Sequence, residues 1–186
     1  MKLYAPTATS FEKCPAGNHL AVCIEVIDQG TQEETYAGET KNRRKIYIGW
    51  ETPAELSDDG KPFRIGRSYT FSANEKAALR RDIESWLGKN LGEELQKGFS
   101  MRSLIGKGCF LNVVHEENNG RNYANIHSVA ALPKGTTAPG ATHETIYFSL
   151  DVDEYSPAVF EGLSPYMKEK ISQSPEWAKL SNDSPF

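Results

Sequence analysis

Residues 41–51, Lys-Asn-Arg-Arg-Lys-Ile-Tyr-Ile-Gly-Trp-Glu, constrain the fold more than any other stretch of the chain. Side chains of an extended strand alternate between two faces. Ile46, Ile48 and Trp50 therefore share one face, and Lys45, Tyr47 and Gly49 share the other. The first face is the core face, and Trp50 is read with it. The second offers a cation, an aromatic ring and bare backbone. Four cations fill the first five positions of the stretch. Cations beside an aromatic on an open sheet face suit a single-stranded nucleic acid, which needs charge for phosphates and flat rings for bases. A solvated basic loop leading into an ordinary strand is the plainer alternative.

Other segments extend the β pattern. Cys14 to Asn18 form a turn signal, and residues 19–29 alternate as a strand, with Leu20, Val22, Ile24 and Val26 on one face. Residues 30–40 read as a polar loop, so the first two strands form a hairpin with a long connection. Two short extended pieces, 63–65 and 69–71, flank Gly66. Ser72 and Glu75 have capping-box spacing. Leu79, Ile83, Trp86 and Leu87 then mark one helical face, and Gly88 stops the helix. Lys76, Arg80 and Arg81 are interleaved with Asp82 and Glu84, the pattern of a solvated face. Residues 89–107 read as short helical pieces whose Leu91, Leu95, Phe99, Leu104 and Ile105 seal one end of the sheet. Residues 109–115 and 121–132 form a hairpin around Asn119-Gly120.

This order, with a helix between the third and fourth strands, predicts a mainly β fold. It matches a five-stranded barrel of the oligonucleotide/oligosaccharide-binding (OB) type, followed by short C-terminal helices. A generic small barrel or a half-open α+β sandwich is the alternative. The expected division is an OB-like domain over 1–133 and an acidic extension over 134–186. In the extension, 133–143 is a Pro/Gly/Thr linker and 145–150 a short strand that adds to the barrel or to a partner chain. Ser164-Pro165 and Ser174-Pro175 each start a helix.

Composition narrows the function. Residues 1–136 hold 18 Lys/Arg against 17 Asp/Glu, and residues 137–186 hold 3 against 8. A near-neutral body with basic clusters thus precedes an acidic tail, which phosphates repel and other proteins can reach. Cys23 and Cys109 sit in apolar strand patterns, and no Cys-x-x-Cys pair occurs. With no apolar leader at the start, the expected location is the cytoplasm. The four histidines show no metal-ligand spacing, and neither a P-loop nor a nucleophile elbow is present. The expectation is a non-enzymatic binding protein with no cofactor and no metal.

Two resemblances bear on this. The run Tyr69 to Ser72, the segments 79–82 and 85–88, Leu104-Ile105-Gly106-Lys107, 112–115 and 126–129 ahead of Leu132 to Gly135 resemble small proteins from the replication regions of tailed bacteriophages, taken to be single-stranded DNA-binding proteins. The likeness spans about residues 11–175. It implies a barrel that coats single strands in phage replication or recombination. The end of the chain, with Asp183, Pro185 and Phe186, resembles the tip of bacterial single-stranded DNA-binding proteins, although Ser184 stands at their apolar position. That likeness implies replication or recombination proteins as partners of the tip. From the residues themselves, Arg43, Arg44 and Lys45 are the expected phosphate contacts and Tyr47 and Tyr123 the expected base platforms, with Arg121 and Tyr36 beside them. The rival reading is a phage module that inhibits or recruits a host protein. Oligomeric state stays open.

Overall fold

The computed structural model describes residues 12–182. It is mainly β. Strands β1 (Gly17–Tyr36), β2 (Glu39–Leu56), β3 (Pro62–Thr70), β4 (Gly108–Asn118) and β5 (Arg121–Ala130) form antiparallel ladders in the order β3-β2-β1-β4-β5. A short β6 (Ile146–Phe148) pairs in parallel with β1. The sheet is not closed. Strands β3 and β5 approach each other without a ladder. A polar cleft of about 350 Å³ lies there, with Gly66 and Arg67 on one side and Asn125 and His127 on the other.

The alternation of the central strand holds. Ile46, Ile48 and Trp50 are buried in the main core with Cys23, Val26, Cys109 and Leu111. The expected β1 face of Leu20, Val22, Ile24 and Val26 is broken by a register shift between Cys23 and Glu25, which puts Val26 on the side of Cys23. Helix α1 (Ala78–Leu87) closes one end of that core through Leu79, Ile83 and Trp86. The Trp50 and Trp86 rings lie 5.6 Å apart, and Trp86 Nε1 donates to the Gly108 carbonyl at 2.8 Å. Gly88 ends the helix in the left-handed region at φ 64°, its N–H returning to the Glu84 carbonyl. Helix α2 (Gly92–Lys97) and a 3₁₀ turn (Met101–Leu104) bring Leu91 and Leu104 into the same core.

Two local expectations are corrected. The predicted capping box does not form: α1 begins at Ala78 and has no side-chain cap. Ser72 Oγ instead accepts from the Asn74 N–H at 3.2 Å, and Asn74 Oδ1 accepts from the Lys76 N–H at 2.9 Å. Two successive side-chain turns thus take up the residues that would have made the first helical turn. The expected loop over 30–40 is also strand. β1 runs to Tyr36 and turns through two residues, Ala37 at φ 51° and Gly38 at φ 81°. This is the hairpin geometry of Asn119 (φ 52°) and Gly120 (φ 73°) at the β4–β5 turn.

The C-terminal segment folds onto the sheet. β4 pairs with β1 only from Gly17 to Val22, and β6 takes up the same strand from Glu25 to Ile27. An edge that would expose unpaired backbone is thereby covered. Helices α3 (Pro157–Gly162), α4 (Pro165–Ser172) and α5 (Pro175–Asn182) follow. Ser156 and Ser164 cap α3 and α4, accepting from the N–H groups of Val159 and Met167. A second core joins Ile27 of β1 to Phe148, Leu150, Phe160, Leu163, Met167 and Ile171. Trp177 stacks on Phe160 at 4.0 Å, and Glu176 accepts from both the N–H and the hydroxyl of Thr31.

Candidate nucleic-acid interface

Thr31 and Gln32 still touch the C-terminal helices, at Glu176 and the Lys170 carbonyl, and Lys45 still pairs with Thr70; beyond them β1 and β2 project as a two-stranded ribbon. The register pairs Tyr36 with Glu39, Glu34 with Lys41, Gln32 with Arg43 and Gly30 with Lys45. Directly paired residues share a face. Tyr36, Lys41, Arg43 and Lys45 therefore line one side of the ribbon, and Arg44 belongs to the other. Tyr36 is 86% exposed. Glu34 pairs with Lys45 at 2.6 Å and Glu39 with Lys41 at 2.8 Å. Arg43 makes no ion pair among the described residues and stays exposed.

Arg44 is held in place. Its Nε donates to Asp28 Oδ1 at 3.2 Å, its Nη2 to the other Asp28 oxygen, and the same Nη2 to Asp151 Oδ1 at 2.9 Å. The Asp28 hydrogen bond drives its pKa further up. Asp28 also accepts from the N–H groups of Gly30 and Leu150. Arg44 is thus a cross-link between the ribbon base and the C-terminal segment.

Tyr47 lies on the outward face, opposite Ile27. Two glycines let its ring lie flat on the sheet. A Cβ on Gly66 would stand 2.1 Å from the Tyr47 hydroxyl, and one on Gly49 would stand 3.1 Å from the ring. The second core packs against the ring. Burial, with the nearby Glu25 carboxylate adding to it, pushes the phenol pKa up to about 12. Tyr123 and Arg121 lie at the tip of the β4–β5 hairpin, with Tyr123 46% exposed and opposite Glu116. β4 runs antiparallel to the start of β1, so this tip and the Tyr36 ribbon extend from opposite ends of β1. The structure therefore divides the sequence-predicted residues: Tyr36 at one ribbon tip with Arg43 exposed further down the same ribbon, Tyr123 and Arg121 at the other tip, Tyr47 as a half-buried ring, Arg44 as a cross-link, and Lys45 at the ribbon base, 14% exposed and bonded to Glu34 and Thr70. Asp183, Pro185 and Phe186 lie outside the described residues.

The sequence reading did not find a groove on the same outward face. It measures about 1090 Å³ and runs between the β2–β3 turn and the start of α4. Ile27, Tyr47 and Glu25 form its floor, with Arg64 beside them. Tyr166 and Met167 stand on one wall, and Asp58, Asp59 and Lys61 on the other. Above β2 the linker is pinned by Glu51, which is fully buried. Its carboxylate accepts from the N–H groups of Thr142 at 2.7 Å and His143 at 2.8 Å, and its Oε2 lies 2.6 Å from His143 Nδ1. Burial alone would raise the Glu51 pKa, but these donors outweigh it and hold the pKa below the ordinary glutamate value.

Among the described residues no group of three or more His, Cys, Asp or Glu side chains is placed to hold a metal, and no helix is long and apolar enough to cross a membrane. All three cysteines are buried and unpaired, and burial pushes the Cys23 thiol up to about 12. A scan against protein-family models and a search of curated proteins both return no match.

Proposed function

We propose that the protein binds single-stranded DNA without sequence preference, as an OB-like barrel serving phage replication or recombination. The observation that carries this reading is the pair of β-ribbons at the two ends of β1. Each presents an exposed tyrosine with an arginine on the same hairpin: Tyr36 with Arg43, and Tyr123 with Arg121. The strand order and the helix between β3 and β4 support the OB-like part. The C-terminal helices pack against Tyr47 and leave beside it only a groove lined by four carboxylates, so contacts at the ribbons fit the geometry better than contacts at Tyr47. Base stacking on each tyrosine would contribute about 1–3 kcal/mol, and each arginine on a phosphate would add to the salt dependence.

The test is fluorescence anisotropy of labelled oligo-dT at low and moderate salt, with duplex as competitor. The expected outcome is binding that prefers the single strand and weakens with salt. Tyr36→Ala combined with Arg43→Ala should weaken it about tenfold or more while leaving the unfolding midpoint unchanged. Absence of binding at low salt refutes the reading. Undiminished binding by the folded double variant removes the β1–β2 ribbon from the site.

A further inference from the structure

We infer that the outward groove floored by Tyr47 and Glu25 is a docking site for a protein segment that carries an arginine or lysine next to an apolar side chain. This goes beyond strand binding and does not depend on it.

Charge argues for a cationic occupant. Four carboxylates line the groove, from Glu12, Glu25, Asp58 and Asp59, against the permanent cations of Lys61 and Arg64. Two of the carboxylates have partners in the chain. Glu12 accepts from the Asp58 N–H at 2.7 Å, and Asp59 accepts from the Ser57 hydroxyl and the Lys61 N–H. Glu25 is different. Its side chain is only 14% exposed, and Arg64 Nη1, its ion-pair partner among the described residues, stands 3.6 Å away. That is too long for a hydrogen bond. No donor among the described residues completes the Glu25 carboxylate, which lies at the groove floor over Gly49. A half-buried anion of this kind gains most from a charge-assisted donor brought by a ligand.

The apolar part argues for a side chain beside that cation. Ile27, Ile146, Leu163 and Met167 face the groove with the rings of Tyr47 and Tyr166. An arginine stem can lie along the Tyr47 ring with its guanidinium on Glu25, while a neighbouring apolar side chain meets Leu163 and Met167. A phosphate chain would meet net negative charge at the same place.

The test is a nuclear magnetic resonance titration of the full-length chain, labelled with nitrogen-15. The probes are N-acetyl-Arg-Phe-amide, N-acetyl-Glu-Phe-amide and the thymidine dinucleotide. The expected result is a saturable shift of the Gly49, Gly66 and Leu163 amides with the Arg-Phe probe alone. Glu25→Gln should weaken it about tenfold, and Asp58→Asn, on the exposed rim, about two- to threefold. Amides far from the groove report whether each variant remains folded. If Glu25→Gln disturbs them, Asp58→Asn carries the test. Equal shifts with the Glu-Phe probe overturn the inference, as does a response indifferent to these substitutions. So does a groove that responds to the dinucleotide instead.

Discussion

Replacing Glu51 should release the linker from the sheet. The residue is fully buried and its two oxygens serve two backbone N–H groups and one imidazole nitrogen within 2.6–2.8 Å. Glu51→Ala removes the acceptor for all of them. An unsatisfied buried donor costs about 1–3 kcal/mol, but His143 is 22% exposed and can recover water on one side. The net expectation is about 3 kcal/mol of lost stability, less than three full penalties. Urea unfolding followed by far-ultraviolet circular dichroism measures it. Hydrogen exchange at Thr142 and His143 locates it, since those amides should lose protection before the sheet does. The pH dependence carries a fixed sign. The folded-state pKa of Glu51 is depressed, so its contribution is fully present above the unfolded value of about 4.3 and is lost as pH falls through the folded value. Wild type should therefore lose stability across that acidic window more steeply than Glu51→Ala. An alanine variant with an unchanged midpoint and protected Thr142 and His143 amides would refute the latch.

Gly66→Ala drives a methyl into the Tyr47 hydroxyl, so the ring must leave the sheet at a cost of about 1–3 kcal/mol. The Tyr47 phenol should then titrate below its value of about 12, read by absorbance near 295 nm against a Tyr47→Phe control. Arg44→Met leaves Asp28 with its two backbone donors but no cation, and with Arg44 30% exposed the expected loss is about 2 kcal/mol in urea unfolding. Asp151→Asn, at a 65% exposed position, should cost less than about 1 kcal/mol, and a larger effect would mean that Asp151 rather than Asp28 anchors the arginine. Ala37→Gly relieves a left-handed alanine at the ribbon turn, so the ribbon amides should exchange more slowly by up to about 1 kcal/mol of protection. Unchanged exchange there would place the strain elsewhere.

What the sequence discloses depends on burial. Ile46, Ile48 and Trp50 announce their strand because one face is packed and the other is not. The outer halves of β1 and β2 carry no such contrast, since residues 33–43 are exposed on both sides. β-branched Thr31, Thr35 and Thr40 with Tyr36 were the remaining signal, and it is weaker than alternation. The Ser-Pro starts of α4 and α5 were legible because a cap is a local device. The second core was not, because Ile27 meets Phe148 and Ile171 only after the chain has crossed the sheet. The same distance hides the fate of Arg44, whose partners stand 16 and 107 residues away. A basic cluster in sequence thus separates into an exposed Arg43 and a cross-linking Arg44 that are chain neighbours.

Outward and open are different properties. Period two places Tyr47 and Gly49 outside the main core, and the structure agrees, yet a second layer of helices then packs against Tyr47. The ring is held by two glycines beneath and an apolar wall beside it, in a groove whose carboxylates outnumber its permanent cations. Such a place disfavours a polyanion, whereas on the Tyr36 face of the β1–β2 ribbon Lys41, Arg43 and Lys45 outnumber Glu34 and Glu39; the β4–β5 hairpin, with Glu116 and Glu117 against Arg121, does not share that balance. The two proposed activities therefore occupy separate parts of one sheet and separate by substitution. Tyr36→Ala with Arg43→Ala should weaken strand binding and leave the Arg-Phe response intact, and Glu25→Gln should do the reverse. Loss of both responses in either variant would mean that groove and ribbons act as one surface, and the charge argument that divides them would fail.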